Sequence, residues 1–233
     1  MKATVYCILL SIIGIACTIA PSQSIKTESQ SKRMIRYAAI GDSYTIGESV
    51  EEGERWPNLM VSHLKQNGIA IEIVANPSVT GWTTQDLIDK ELPIFRSSNP
   101  DFATLLIGVN DWVQKVSIEK FRANLRFIIE EMLKELSSAK RIVAITIPDF
   151  GATPAGPQYS GGRDISAGLS EFNGIIMEEC ENYGIACVDI FQLSQDMKDD
   201  QSLVANDGLH PSAKEYVLWE ELIYPVVAKL LQE

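Results

Sequence analysis

The chain has 233 residues, 45% of them hydrophobic, and a formal net charge of −11 at neutral pH. That length is enough for one α/β domain with a full core, and the hydrophobic content excludes a disordered protein. The acidic charge, together with a sequence that has no Lys/Arg-rich run, argues against a nucleic-acid partner. It also disfavours tight docking on anionic lipid.

The first 24 residues have the pattern of an export signal. Lys2 precedes an apolar stretch from Val5 to Ile19, and small and polar residues follow that stretch. A membrane anchor is the less favoured alternative, because the stretch is shorter than the ~20 residues that a membrane-spanning helix needs. We predict a signal peptide over residues 1–24, a polar linker over residues 25–33 and one folded domain over residues 34–233.

A lipid anchor is a third interpretation of the N-terminus. The segment Gly14-Ile15-Ala16-Cys17 resembles a bacterial lipoprotein cleavage box, in which Cys17 would become lipidated. Cleavage by either route predicts a protein that is secreted or that faces the periplasm or cell envelope. Cys180 and Cys187 remain in the mature domain, and export allows either a disulfide between them or two buried free thiols.

Strands and helices alternate along the domain. Apolar runs predict the strands, and capped amphipathic segments predict the helices. In chain order we expect strand Ile35–Ile40, helix Trp56–Gln66, strand Ile69–Ala75, helix Thr83–Leu92, strand Phe102–Ile107, a helix from Ser117 to Leu136, strand Arg141–Ile147, loop Pro148–Gly162, helix Ile165–Tyr183, strand Ile185–Val188, loop Gln192–Gly208 and a last helix from Ser212 to Leu231. This alternation predicts an α/β fold whose parallel sheet is covered on both faces.

Polar residues follow several of the predicted strands directly. Ser43, Gly81 and Asn110 come after the first, second and third strands, and Asp207 and His210 lie in the loop after the fifth. Ligands of parallel α/β sheets bind beyond the carboxyl ends of the strands. The sequence therefore predicts that all five residues lie at one edge of the sheet.

A serine hydroxyl becomes a good nucleophile when a base removes its proton, and the chain has two histidines. His63 lies in the middle of a predicted helix, where a surface role is expected. His210 shares the sheet edge with Ser43, and Asp207 precedes it by a spacing that lets a turn bring the carboxylate to the imidazole. The alternative for Asp207 is an Asx-turn that leads into the helix capped by Ser212.

An acyl-transfer reaction also needs donors for the negative oxygen of its intermediate. The candidates are the backbone N–H groups of Ser43 and Gly81 and the side-chain amide of Asn110. The alternatives are a simple turn glycine and an Asn that caps its own loop. Asp42 and Asp111 are expected to fix their loops through hydrogen bonds to backbone N–H groups.

Four short segments resemble the four blocks of the SGNH (GDSL-type) hydrolase family, in the order that the family has them. They are Gly41-Asp42-Ser43-Tyr44, the Gly81 loop, Gly108-Val109-Asn110-Asp111 and Asp207-Gly208-Leu209-His210. One departure is Tyr44, where the family often has Leu. The resemblance implies a flavodoxin-like three-layer α/β/α sandwich with a five-stranded parallel sheet.

The resemblance also implies a catalytic assignment. Ser43 would be the nucleophile, His210 the base and Asp207 its partner, with Ser43, Gly81 and Asn110 forming the oxyanion hole. No cluster of His, Cys and Asp has metal-ligand spacing in the sequence, so we expect no metal and no organic cofactor.

The expected activity is hydrolysis of a small-molecule or lipid ester, as in lysophospholipases, esterases and acyl-thioesterases, through an acyl-enzyme. Trp82, Trp112 and Phe150 lie on site-edge loops and favour an apolar acyl pocket. A carbohydrate O-deacetylase is the alternative enzyme. A non-catalytic module that binds the phosphate of a flavin is the alternative from another class, although it leaves Asn110, Asp207 and His210 without a role.

Overall fold

A computed structural model describes residues 1–4, 33–136 and 138–232 of the chain. Residues Lys32–Glu233 form one compact unit. Residues 5–32 lie outside the described ranges, and they carry Cys17 and most of the predicted export signal and linker. Export and lipidation therefore stay predictions. Within the described ranges, no helix combines the length and the apolar character needed to cross a bilayer.

Five parallel strands form one sheet in the described part of the chain, in the order β2-β1-β3-β4-β5. The parallel sheet that the sequence predicts is thereby confirmed. Its core strands are apolar because helices cover both of their faces. The strands are β1 (Ile35–Gly41), β2 (Ile71–Ala75), β3 (Phe102–Leu106), β4 (Ile142–Ile145) and β5 (Ala186–Val188).

Helices make the two outer layers of the predicted three-layer sandwich. The helices are α1 (Ser43–Ile46), α2 (Trp56–Gln66), α3 (Thr84–Asp86), α4 (Leu92–Ser98), α5 (Val109–Val113), α6 (Ile118–Leu136), α7 (Ile165–Tyr183), α8 (Phe191–Ser194) and α9 (Ala213–Gln232). Helix α2 packs against α9, whereas α6 packs against both α4 and α7. Right-handed crossovers between parallel strands place these two groups on opposite faces of the sheet.

The structure corrects the sequence prediction between Thr83 and Leu92. The predicted short helix continues to Ser98 as α3, a π-helical turn at Leu87–Glu91 and α4. The N–H of Leu92 donates to the carbonyl of Leu87, five residues back, and this shift of register places Pro93 in the first turn of α4. A proline is tolerated there because that position needs no intrahelical N–H.

Two short helices that the sequence does not predict begin directly behind strands. α1 starts two residues after β1, and α5 starts three residues after β3. Each has five residues or fewer, too few to show an apolar period. Both carry residues of the predicted site, since Ser43 lies on α1 and Asn110 on α5.

The two cysteines in the described part of the chain are free thiols. Cys180 lies near the end of α7 and Cys187 on β5, and their side chains form a hydrogen bond with each other. Of the two sequence alternatives, the structure has the pair of free thiols.

A buried carboxyl group supports the carboxyl end of β1. Glu91, in the π-helical turn, is fully buried, and its Oε2 accepts a hydrogen bond of 3.1 Å from the N–H of Gly41. Its other oxygen is buried, and no residue in the described part of the chain forms a hydrogen bond with it. Burial raises the pKa of Glu91 to about 9, against the lowering effect of the Gly41 hydrogen bond. Glu91 is therefore protonated in the native protein at neutral pH.

We expect Glu91→Gln to stabilise the protein near pH 8 by about 1–3 kcal/mol in the free energy of unfolding. The reason is that the raised pKa makes the native carboxyl keep a proton that the unfolded chain releases, so the wild type loses stability as the pH rises from the unfolded pKa towards the native one. Glutamine mimics the protonated carboxyl and can still accept from Gly41. Urea unfolding at pH 4, 6 and 8 measures this difference.

The difference between the two proteins should vanish near pH 4, where both states of the wild type hold the proton. Glu91→Ala is the control, since it removes the acceptor for Gly41 and should destabilise at every pH. If Glu91→Gln were less stable than the wild type at pH 8, an ionised Glu91 would be indicated instead.

Candidate active site

One cavity at the carboxyl ends of the strands brings the predicted site residues together. Its volume is about 210 Å³, and it opens to solvent. Four of the five predicted residues line it, namely Ser43, Gly81, Asn110 and His210, and Asp207 lies behind His210. The remaining lining residues are Tyr44, Thr80, Val109, Val113, Phe150, Tyr159 and Leu209.

Ser43 is the first residue of α1, and its side chain lies in the cavity wall. Asp42 precedes the helix and caps it, since its Oδ1 accepts from the N–H of Tyr44 at 3.1 Å. Burial raises the pKa of Asp42 to about 8, so this group is mainly uncharged at neutral pH. This contact confirms the loop-fixing role expected for Asp42 and leaves Ser43 as the group that can act on a ligand.

Asp207 and His210 form a close pair. Asp207 Oδ2 lies 2.6 Å from His210 Nδ1. Asp207 Oδ1 accepts from the N–H groups of Leu209 and His210 at 2.9 and 3.0 Å. The two sequence interpretations are thus both true, because one oxygen forms the Asx-turn and the other holds the imidazole.

The surroundings of Asp207 keep it ionised. Burial alone would raise the pKa of this carboxyl, but hydrogen bonds from His210, from two backbone N–H groups and from Ser49 hold it well below its ordinary value. An anionic Asp207 accepts the Nδ1 proton of His210 and leaves Nε2 free to accept another. The His210 ring is 10% exposed and packs edge-on against Tyr44 at 5.9 Å between centroids.

The hydrogen bonds of the described residues do not include one between the hydroxyl of Ser43 and His210. Hydrogen bonds between nucleophile and base are often long in proteins without ligand and shorten when substrate binds. Both residues line the same cavity, so substrate in that cavity would lie between or beside them.

Three residues that line the cavity have a hydrogen-bond donor to offer. The N–H groups of Ser43 and Gly81 donate to no other group in the described part of the chain. Gly81 has φ of +86° and open space where a side chain would be, so a ligand can approach its backbone closely. The Asn110 amide uses one hydrogen on the carbonyl of Trp82, at 2.9 Å, and has a second hydrogen to offer.

Two side chains, Gln114 and Asp111, hold the loop that carries Gly81 through hydrogen bonds. Gln114 donates to the carbonyl of Gly81 at 3.3 Å. Asp111 accepts from the N–H of Thr84 at 2.8 Å, and its other oxygen accepts from the Thr84 hydroxyl at 2.5 Å. This is the loop-fixing role expected for Asp111, directed at the neighbouring loop.

Only one of the three aromatic residues expected in an acyl pocket lines the cavity. Phe150 forms part of the wall, whereas Trp112 stands behind Phe150, with ring centroids 5.8 Å apart. Trp82 contributes its carbonyl to Asn110 and stacks under Lys90. The sequence interpretation was therefore wrong for the Trp82 and Trp112 rings. Both residues are close to site residues in the sequence, but closeness in the sequence does not determine the direction in which a side chain points.

Other residues of the site were missed from the sequence. Tyr159 and Leu209 complete the apolar wall, and Ser49 donates to Asp207 Oδ2 at 2.7 Å. A signal for Leu209 was its place between Gly208 and His210. Tyr159 and Ser49 carry no signal of this kind, since each lies in a loop whose path depends on the rest of the fold.

Larger hollows lie elsewhere on the described surface, and the other histidine lies outside the site. A cavity of about 440 Å³ adjoins Asp149 and Gln195, and one of about 280 Å³ adjoins Arg33 and Arg141. No histidine is among the residues that line either of these two cavities. His63 lies on α2, where its Nδ1 is 3.0 Å from Glu220.

Comparison with known proteins finds a matching family and related sequences. The sequence profile of the GDSL-like lipase/acylhydrolase family matches residues 39–218. A GDSL esterase/lipase of Arabidopsis thaliana is 28% identical over 141 residues, which are 53% of this chain and 58% of that protein. An arylesterase of Vibrio mimicus is 24% identical over 140 residues, which are 60% of this chain and 64% of that protein. The matches therefore span less than two thirds of either relative.

Solved structures share the fold. The acetylxylan esterase Axe2 of Geobacillus stearothermophilus superposes with a TM-score of 0.67 at 16% identity, covering 83% of this chain and 94% of that one. Such an identity shows a common architecture and nothing about substrate. The family profile extends over most of the described sheet and over all four segments of the site, so the chain belongs to the GDSL-like lipase/acylhydrolase family.

Proposed function

We propose that this protein is a serine hydrolase that cleaves carboxylic ester bonds through an acyl-enzyme intermediate. The observation that carries the proposal is the Asp207–His210 pair, 2.6 Å apart, on the wall of a cavity that also contains Ser43. Membership of the GDSL-like lipase/acylhydrolase family supports it.

In the first half of the reaction, the Ser43 hydroxyl oxygen attacks the carbonyl carbon of the ester. His210 Nε2 takes the hydroxyl proton, and Asp207 holds the Nδ1 proton and stabilises the imidazolium. The carbonyl oxygen becomes negative and accepts hydrogen bonds from the backbone N–H groups of Ser43 and Gly81 and from the amide of Asn110. The carbon–oxygen bond to the alcohol then breaks, and His210 gives its proton to the leaving alcohol.

In the second half, a water molecule takes the place of the alcohol. His210 removes a proton from this water as it attacks the acyl carbon, and the same three donors stabilise the second tetrahedral oxyanion. The bond to the Ser43 oxygen breaks, and His210 returns a proton to that oxygen. The products are a carboxylic acid and the regenerated serine. The side chains of the site supply nucleophile, base and charge stabilisation, so the scheme assigns no step to a metal or organic cofactor.

The size of the cavity favours short acyl chains. Its volume of about 210 Å³ lies below the roughly 300–1,000 Å³ of sites for drug-sized ligands. Val109, Val113, Phe150 and Leu209 form apolar walls, so burial of an acyl chain is favourable until the space is filled. We therefore propose acetyl to hexanoyl esters as substrates ahead of long-chain lysophospholipids. An acetylated carbohydrate also has an acyl group within this range of chain lengths.

Ser43 should be the acylated residue. A phosphonate that mimics the tetrahedral intermediate should label one residue, and peptide mass spectrometry should place the label on Ser43. Ser43→Ala should lower kcat by roughly 10⁴-fold or more, because the nucleophile is lost while the binding site remains. A label at another serine, or turnover by Ser43→Ala at the wild-type rate, would refute the assignment. A yellow purified protein with no esterase activity would favour the flavin-binding alternative.

Asn110→Ala should lower kcat by roughly 10²–10³-fold with little change in KM, as for other losses of one oxyanion donor. Asn110 also holds the Trp82 carbonyl, so the variant needs a control that loosens the same loop without removing a donor. Gln114→Ala is that control, because Gln114 binds the Gly81 carbonyl and does not line the cavity. Steady-state kinetics on one soluble ester decides. An equal loss of kcat in the two variants would mean that Asn110 acts by holding the loop in place and not as an oxyanion donor.

Rates on p-nitrophenyl esters should fall steeply beyond about six acyl carbons, since longer chains exceed the cavity. Val113→Ala widens the wall and should raise the ratio of kcat/KM for octanoyl over butyryl esters by roughly tenfold, the usual effect of one or two methylene-sized changes. Val79→Ala is the matched control, because Val79 is exposed and does not line the cavity. A wild-type preference for palmitoyl esters or lysophospholipid would contradict the short-chain proposal.

A further inference from the structure

Ser49 lies outside the cavity but touches the acid of the catalytic pair. Its hydroxyl donates to Asp207 Oδ2 at 2.7 Å, and the same oxygen binds His210 Nδ1 at 2.6 Å. The hydroxyl and the imidazole thus share one carboxylate oxygen. Asp207 Oδ1 is occupied by two backbone N–H groups, so four donors hold this carboxylate.

The backbone of Ser49 adopts a conformation that serine disfavours. Its φ is +68°, in the left-handed region. A non-glycine residue in this region costs free energy relative to glycine. The side chain is exposed, so apolar burial does not compensate for that cost. The hydrogen bond to Asp207 is the interaction that a glycine at this position could not make.

The segment around Ser49 is fixed to both halves of the site. The N–H of Glu48 donates to the carbonyl of Ser43 at 3.0 Å, which ties the segment to the nucleophile. The carboxylate of Glu48 accepts from the hydroxyl of Thr80 at 2.5 Å, next to the oxyanion donor Gly81. Ser49 is therefore held in place by the nucleophile loop and the Gly81 loop while it binds the loop of Asp207.

We propose that Ser49 is a positioning residue that holds Asp207 in the orientation in which its Oδ2 binds His210. The proposal rests on the proposed esterase function. Asp207 belongs to a loop that follows β5 by almost twenty residues, whereas Ser43 follows β1 directly. The Ser49 hydrogen bond joins these two parts of the chain, so the distance between nucleophile and base does not depend on the Asp207 loop alone.

Ser49 also affects the charge that His210 experiences. A donor on Oδ2 draws part of the carboxylate's negative charge away from the imidazolium. Without the Ser49 hydroxyl, the Asp207 carboxylate interacts more strongly with the imidazolium of His210. The orientation of the carboxylate also becomes less fixed. Loss of the hydroxyl therefore predicts two separable effects, a lower kcat and an acid limb of the kcat/KM profile displaced to higher pH.

The test compares three substitutions at position 49 in the full chain. Ser49→Gly removes the hydroxyl and favours the left-handed backbone, so stability should not fall. It should lower kcat roughly tenfold with KM unchanged, and it should move the acid limb up by about 0.3–0.5 pH units. Ser49→Asn tolerates the left-handed backbone and has an amide donor, so it should restore most of kcat. Ser49→Ala should lose both activity and stability.

Asn99→Gly is the matched control for the backbone effect. Asn99 is exposed with φ of +50° at the end of α4, away from the cavity. This variant should keep the wild-type kcat and pH profile. If Ser49→Gly behaved in the same way, or lost kcat only in proportion to a lower melting temperature, the positioning role would be overturned.

A spectroscopic measurement separates this proposal from the esterase proposal. The chain has two histidines, so His63→Gln identifies the downfield proton resonance of His210 Nδ1–H in the NMR spectrum. Ser49→Gly should shift and broaden this resonance, and Asn99→Gly should leave it unchanged. An unchanged resonance in Ser49→Gly would overturn the positioning role. If the wild type cleaved no ester but the His210 resonance still shifted in Ser49→Gly, the proposed function would be refuted. The positioning of Asp207 by Ser49 would still stand.

Discussion

The close approach of β1 to β3 at their carboxyl ends is the constraint on which the site depends. Gly41 pairs with Leu106, and a Cβ atom on Gly41 would lie 2.2 Å from the Leu106 carbonyl oxygen. Any side chain there would push the strands apart. Because the strands end side by side, α1 and α5 begin next to each other, and Ser43 and Asn110 face one cavity although 67 residues of sequence number separate them.

Carboxyl groups hold this edge together in two different charge states. Asp42 and Glu91 are buried, and their raised pKa values keep them mainly uncharged, so they accept backbone hydrogen bonds without bringing negative charge close to Ser43. Asp207 is only partly buried, and its four donors lower its pKa. Among these three carboxyl groups, negative charge is therefore concentrated at Asp207, which contacts His210 and would stabilise an imidazolium in the proposed reaction.

The sequence was sufficient to predict the parts of the fold that follow from the alternation of strands and helices along the chain. Alternating apolar runs and amphipathic helices predicted the sheet, and strand ends predicted which residues share an edge. It was not sufficient where a contact depends on a neighbouring loop. Nothing local to Ser49 indicates that it meets Asp207, which lies 158 positions away, and nothing local to Pro93 indicates that a π-helical turn moves it into a first helical turn. Side-chain direction was the other gap, as the Trp82 and Trp112 rings show.

Trp112 supports the wall of the cavity although it does not line it. The Arg163 guanidinium stacks on the Trp112 ring at 3.7 Å and donates to the carbonyls of Trp112 and Val113 at 2.7 and 3.2 Å. On another side, Gly168 lies so close that a Cβ atom would be 1.9 Å from Trp112 Nε1. The Trp112 ring is thus held between the Arg163 guanidinium and the backbone of α7. Arg163 also fixes the backbone of Trp112 through its hydrogen bond to the carbonyl group.

Phe150 rests edge-on against this confined ring, and Val113 is tied to the same arginine. Packed interiors yield little to small distortions, because each displaced side chain would have to displace the next. A ligand that pushed the wall made by Phe150 and Val113 outward would therefore disturb the Arg163 contacts. In the proposed function, a limit on acyl-chain length would come from the layer behind the cavity as much as from the side chains that line it.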